Sequence, residues 1–207
     1  MNDTTSRSSA PLQFGLMLGI IVATLVAGFV MFPSDQAERD ALLGRLGTTN
    51  HGTLLQPALP VDGLPLRDDK GNPWRWTEHK PKWRLLIPAG RECDEECREL
   101  LYVSRQVHLL LGKYTGRFER VYINLEDSLD VATAQYLEQE HHYAKVLAAD
   151  RAAFDTWTED SNLPWGQGTM PAILVDPAGL AMMFYTVDIA GNDMLEDINH
   201  LLRYSPE

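Results

Sequence analysis

The chain has 207 residues with 18 basic and 29 acidic side chains, a formal net charge of −11, and only two cysteines. A surface that acidic repels nucleic acid and anionic lipid and suits a cationic partner or a metal ion, with solubility alone as its plainer use. The length leaves room for one domain of about 150 residues plus an appendage, and any thiol chemistry is confined to Cys93 and Cys97.

The appendage comes first. Residues 14–32 (FGLMLGIIVATLVAGFVMF) run nineteen positions without a charge. At about 1.5 Å per helical residue that length crosses a hydrocarbon core of about 30 Å. The run is longer than the apolar region of a signal peptide and lacks a small-x-small cleavage site before Pro33, so a retained anchor is expected over a removed signal. Arg7 and the amino terminus precede the span, and Arg39 and Arg45 follow it. The simpler topology is a short Ser/Thr-rich cytoplasmic tail (residues 1–13) and an exported body, single-pass in the inner (cytoplasmic) membrane. The cysteines then lie in the periplasm or an equivalent extracytoplasmic, oxidising space.

Beyond the anchor, residues 34–47 suggest a short juxtamembrane helix. Pro57, Pro60 and Pro65 are too closely set for a regular element, so residues 33–63 read as a juxtamembrane and extended linker before a domain over 64–207. A hairpin is expected from residues 64–67 and 73–76 about the turn at 68–72. The apolar run Leu85-Leu86-Ile87 reads as a buried strand ending in Pro88-Ala89-Gly90. A helix over 95–112 follows, with Leu100, Leu101, Val103, Val107, Leu110 and Leu111 at helical spacing. Residues 118–124 alternate as a second strand, 130–140 read as a helix capped by Asp130, 144–148 as a short segment and 151–159 as another helix. Strand, helix, strand, helix implies a parallel pair. In the last third, Gly166 to Pro171 leads into a strand at 172–175. Asp176-Pro177-Ala178-Gly179 carries the residues of a type I turn, an antiparallel strand occupies 180–186, and a helix over 192–203 closes the chain with Met194, Leu195, Ile198, Leu201 and Leu202 on one stripe.

The spacing of the two cysteines places both in the first turn of the 95–112 helix, on one face, with about 6 Å between Cα atoms. They can close a disulfide or pinch one metal ion. The helix start favours thiolate at Cys93, whereas Asp94, Glu95 and Glu96 oppose that ionisation and lower the cost of a nearby cation. The loop therefore suits a cation site or a moderately reducing dithiol better than a strongly acidic nucleophile.

This order of elements resembles the thioredoxin fold, an α/β arrangement of a central mixed sheet flanked by helices. The resemblance implies that Thr169-Met170-Pro171 is the loop that packs a cis-proline, Pro171, against the cysteine turn, with Met170 beside the thiols. Within that fold the Cys-x-x-x-Cys spacing, the N-terminal anchor, the segment Asn50-His51-Gly52-Thr53-Leu54-Leu55-Gln56-Pro57, the turn Asp69-Lys70-Gly71-Asn72 and Asp176-Pro177-Ala178-Gly179 resemble the Sco copper-chaperone family of cytochrome c oxidase assembly. The similarity runs from Asn50 to the C-terminus. It implies Cu(I) held by Cys93 and Cys97 and delivered to an oxidase subunit or another copper-site assembly protein. The chain departs from that family where a third ligand, a histidine, is expected ahead of the 172–175 strand; Gly168-Thr169-Met170-Pro171 stands there. Met170 is taken as a soft third ligand, with simple packing under the helix as the alternative.

Two further readings of the pair remain open. One is a thiol–disulfide oxidoreductase with Cys93 attacking, Cys97 resolving and Pro171 shaping the substrate groove; it would keep a partner's copper-ligand cysteines reduced. The other is an assembly scaffold with a structural disulfide. His141 and His142 are expected in a solvated loop, since neighbouring helical residues point about 100° apart and chelate poorly. His108 reads as a surface or core residue, and the five tryptophans as packing.

Overall fold

The computed structural model describes residues 10–31, 50–189 and 191–205. It divides into two units, Met1–Thr49 and Asn50–Glu207. In the first, helix α1 (Ala10–Met31) has 22 residues. Its described side chains, residues 13–29, are apolar apart from Gln13 and Thr24 and are exposed all round. Among the described residues no helix is long and apolar enough to cross a membrane. The expected juxtamembrane helix at 34–47 lies outside the described residues.

The second unit is built on one eight-stranded mixed sheet in the order β1-β8-β7-β4-β5-β6-β2-β3. The strands are β1 (Thr53–Pro60), β2 (Leu66–Arg67), β3 (Pro73–Trp74), β4 (Trp83–Ala89), β5 (Phe118–Asn124), β6 (Lys145–Ala148), β7 (Ala172–Val175) and β8 (Leu180–Tyr185). β4, β5 and β6 are parallel, and β7, β8 and β1 continue antiparallel from β4. The helices are α2 (Glu95–Leu110), α3 (Val131–Glu140), α4 (Arg151–Thr158) and α5 (Gly191–Tyr204).

β4 is buried along its whole length because both faces of the sheet are covered. Alternation divides its side chains between two cores. Trp83, Leu85, Ile87 and Ala89 meet Leu100, Leu101 and Val107 of α2, Leu137 of α3 and Met194, Ile198 and Leu202 of α5. Leu86 faces the other way, toward Phe154 of α4, Leu55, Leu59, Trp74 and Trp76. Each fully buried aliphatic side chain contributes about 1.5–3 kcal/mol, so the two-sided burial of β4 fixes the strand from which the cysteine turn departs.

The hairpin at 64–76 forms as β2 and β3. The 176–179 turn forms as well: Gly179 N–H donates to Asp176 O at 3.0 Å, and Gly179 takes φ +90°, a conformation open to glycine. The linker expected over 33–63 lies outside the described residues as far as 49 and is corrected at 53–60. Residues 53–60 are an edge strand paired with β8 on one side only, which is where prolines are tolerated, and the register slips between Leu54 and Leu59 to pass Pro57. The start of this strand is pinned by the buried Asp197 carboxylate, which accepts from the His51 and Gly52 N–H groups and the Tyr185 hydroxyl. A Cβ on Gly52 would lie 2.6 Å from both Met183 Sδ and Tyr185 Cε1, so any side chain there requires those two to shift.

Candidate functional site

The cysteine turn leaves the C-terminal end of β4 and enters α2. Asp94 is the N-cap, in extended conformation, and its Oδ1 accepts from the Cys97 N–H at 2.9 Å. The expected placement of both thiols inside the first helical turn is therefore corrected. The cap satisfies an otherwise unpaired N–H and starts the helix at Glu95, leaving Cys97 in the first turn and Cys93 just ahead of it. The two cysteines are joined in a disulfide with Cα atoms 5.2 Å apart. Cys97 is fully enclosed, while Cys93 keeps 5% of its surface.

Cys93 is held by its backbone from two helices. Its N–H donates to Thr133 Oγ1 of α3 at 3.0 Å, and its carbonyl accepts from Arg98 Nε of α2 at 3.1 Å. The Arg98 guanidinium lies over the Tyr136 ring of α3, 4.9 Å from its centroid. Asp130 caps α3 through Oδ1, accepting from the Ala132 and Thr133 N–H groups.

Facing the turn is the segment that leads into β7. Met170 packs against the apolar cluster that contains Cys93 and Cys97, and its N–H donates to Glu96 Oε2 at 3.1 Å. Pro171 is buried at the mouth of β7. The expected cis bond before Pro171 is corrected: among the described residues the cis peptide is Gln56–Pro57. The ordinary trans preference of an X–Pro bond holds at Met170–Pro171. A cleft of about 880 Å³ opens beside the turn, with Asp94, Glu96, Arg151, Asp155, Trp165 and Met170 in its wall. Asp155 accepts from Trp165 Nε1 at 2.7 Å, and Arg151 pairs with Glu126 at 2.9 Å.

Beneath α2 and α3 lies a buried polar pair that the sequence does not announce. Arg120 of β5 and His141, at the end of α3, are each 2% exposed, and Arg120 Nη1 stands 3.3 Å from His141 Nδ1. Burial first, then the charges of Arg120 and Arg105, push the His141 imidazole down to about 4. Burial, then Arg105, pushes Arg120 down to about 10, so it stays charged at neutral pH. The solvated loop expected at 141–142 is thus corrected at His141, whose ring packs edge-on against Tyr136, and kept at His142, which is exposed. His108 stacks edge-on against Phe118, and burial pushes its imidazole down.

The soft donors here are the two cysteine sulfurs, with Met170, partly buried, packed against the core cluster that contains them. Among the described residues no group of three or more His, Cys, Asp or Glu side chains is gathered as a metal site. Such a set fits a soft monovalent ion of low coordination number once the disulfide is opened, and does not fit a hard divalent cation. Spacing and motif residues point to Cys93, Cys97 and Met170. They do not point to Thr133, forty residues away in sequence, or to the backbone contact from Arg98. Asp94 had a sequence signal, an acidic residue directly before a helical run.

A mixed sheet covered by helices, with two cysteines where a central strand passes into its helix, defines a thioredoxin-like protein. The family model described as transmembrane-like, thioredoxin-like, C-terminal domain matches residues 83–205, more than half of the chain, and the chain belongs to that family. No curated protein sequence matches it. Among solved structures, copper-bound yeast Sco1 superposes with a TM-score of 0.55 at 13% identity, over 77% of this chain and 97% of that one. BsSco, a member of the Sco family of cytochrome c oxidase assembly proteins in which a disulfide switch has been identified, superposes at 0.53 and 10% identity, over 72% and 96%. A thiol:disulfide interchange protein from a Bacteroides species superposes at 0.51 and 17% identity, over 75% and 92%. The expected likeness to the Sco proteins is therefore found, and at these identities it is a likeness of fold.

Proposed function

We propose that this chain is an exported, membrane-anchored thioredoxin-like protein of cytochrome c oxidase biogenesis. In its reduced state it holds one Cu(I) ion on Cys93 and Cys97 and delivers it to an oxidase subunit or another copper-site assembly protein. The observation that carries this reading is the pair of cysteines joined just past the end of β4, with Met170 packed against the core cluster that contains them. Two thiolates and a thioether favour Cu(I), and the fold shared with copper-bound Sco1 supports the assignment. Opening the disulfide consumes two electrons and two protons from a thiol reductant, and loading the ion then releases the thiol protons.

The anchor belongs to the same reading. The side chains described in α1, residues 13–29, fall short of a span by themselves, but the uncharged sequence continues to residue 32. The 22-residue helix would cover about 33 Å. A helix apolar on all faces needs an apolar surround, and a single pass through the inner membrane supplies it, with the thioredoxin-like unit on the periplasmic side.

A second reading is thiol–disulfide exchange that keeps a partner's copper-ligand cysteines reduced. The closed disulfide favours it. In this reading Cys93, which keeps 5% of its surface, attacks and the enclosed Cys97 resolves, while Pro171, buried behind the cleft, shapes the substrate groove. Anaerobic Cu(I) titration of the reduced full chain in detergent, against a competing chelator, separates the two. One equivalent held by the parent and lost in Cys93→Ser/Cys97→Ser supports copper delivery. Parent and variant binding alike would rule it out and leave exchange, which turnover of a model disulfide would measure, or a scaffold, which would show no turnover.

A further inference from the structure

The two cysteines are not held alike. Cys97 lies within α2 and is fixed by the helix whether or not its sulfur is bonded. Cys93 lies ahead of the cap, on the stretch between β4 and the helix, where no helical or ladder hydrogen bond restrains it. What restrains it instead is a pair of side chains reaching its peptide groups from opposite sides: Thr133 Oγ1 on the N–H at 3.0 Å and Arg98 Nε on the carbonyl at 3.1 Å. Thr133 is 2% exposed, so the first of these bonds is buried and water does not replace it readily. Arg98 is steadied by the Tyr136 ring beneath its guanidinium. Both Thr133 and Tyr136 belong to α3, which carries no cysteine.

We propose that Thr133 and Arg98, backed by Tyr136, are positioning residues that hold the Cys93 backbone within bonding distance of Cys97 in the dithiol state, and so set the redox equilibrium of the pair. The physical ground is preorganisation. When the disulfide opens, a tethered Cys93 gains little freedom, so the dithiol gains little entropy and the disulfide re-forms readily. Without the tether the dithiol gains roughly the freedom of one residue, and the equilibrium moves toward it. The proposal rests on the reading that the pair opens and closes in function. It concerns the protein alone, so copper binding can fail without touching it.

The test is a glutathione redox titration of the full chain in detergent. In it, two molecules of glutathione surrender two electrons and two protons to the Cys93–Cys97 bond and leave as one glutathione disulfide. Thr133→Val, which keeps the shape and loses the acceptor, is expected to move the constant about tenfold toward the dithiol. Thr133→Ser, which keeps the hydroxyl, is expected to leave it unchanged. Arg98→Gln and Arg98→Lys should both move it in the same direction by about two- to threefold, because the bond from Nε is lost in each. A Thr133→Val protein with native circular dichroism and a constant within twofold of the parent would overturn the proposal. So would a Thr133→Ser shift of about tenfold, an outcome that keeps the test decisive even if the valine variant does not fold. An Arg98→Lys constant equal to the parent's would remove Arg98 from the clamp and assign its effect to charge.

Discussion

The two walls of the site are built differently. The cysteine turn is tied to α2 and α3 through Asp94, Arg98 and Thr133 and rests on a strand buried on both sides. The facing segment, residues 164–171, reaches the turn through the bond from Met170 N–H to Glu96, and it passes through two glycines in left-handed conformation, Gly166 at φ +73° and Gly168 at φ +84°. A wall with many buried bonds opens at high cost, and one with few opens at low cost. The contrast suits a site that must keep two sulfurs in register while cargo or a partner enters from the other side. It also says where substitutions should harm stability and where they should change binding alone.

The largest effect is expected from acid, acting beneath the rigid wall. His141 touches Arg120 and Tyr136, with Arg105 and Glu140 nearby. The fold holds its imidazole at about 4 against an ordinary 6.5, so the unfolded chain takes up a proton that the folded chain refuses. The stabilisation is complete above pH 6.5 and is lost as pH falls from there toward 4, by about 3 kcal/mol in all. Urea unfolding at pH 7 and pH 4.5 should show this fall, and His141→Gln should flatten it.

Reduction comes next. Opening a loop as short as that between Cys93 and Cys97 is expected to cost about 2 kcal/mol of stability, read as a lower unfolding midpoint with reductant present. Asp94→Ala, which uncaps α2, should cost about 1 kcal/mol, and its effect should persist in the reduced protein because the cap does not depend on the disulfide. On the other wall, Met170→Ala should change stability least of these and lower Cu(I) affinity by about tenfold, the loss of one soft ligand. Equal stability losses from Asp94→Ala and Met170→Ala would erase the distinction between the walls.

Much of this architecture was legible from residues alone. β5, α3, the 176–179 turn and the closing helix follow from alternation, an Asp cap, a turn signature and a stripe. β1 was not, because Pro57 and Pro60 argue against a strand unless the strand is known to lie on an edge, and edge position is a property of the assembled sheet. At the site the cysteines and Met170 could be named, since chemistry and spacing single them out. The burial of His141 and the tether from Thr133 could not, because both arise when α3 docks over β5 and the cysteine turn. The helix start at Glu95 is as expected, but Cys93 is not in its first turn, because an N-cap aspartate, bonded to Cys97 N–H, excludes Cys93 from the helix.

The most direct test of the central claim is copper X-ray absorption on the reduced full chain loaded with one equivalent of Cu(I). A first shell of sulfur alone is expected, three scatterers in the parent and two in Met170→Ala, with no copper retained by Cys93→Ser/Cys97→Ser. Imidazole nitrogen in the shell, or copper retained without the cysteines, would contradict it.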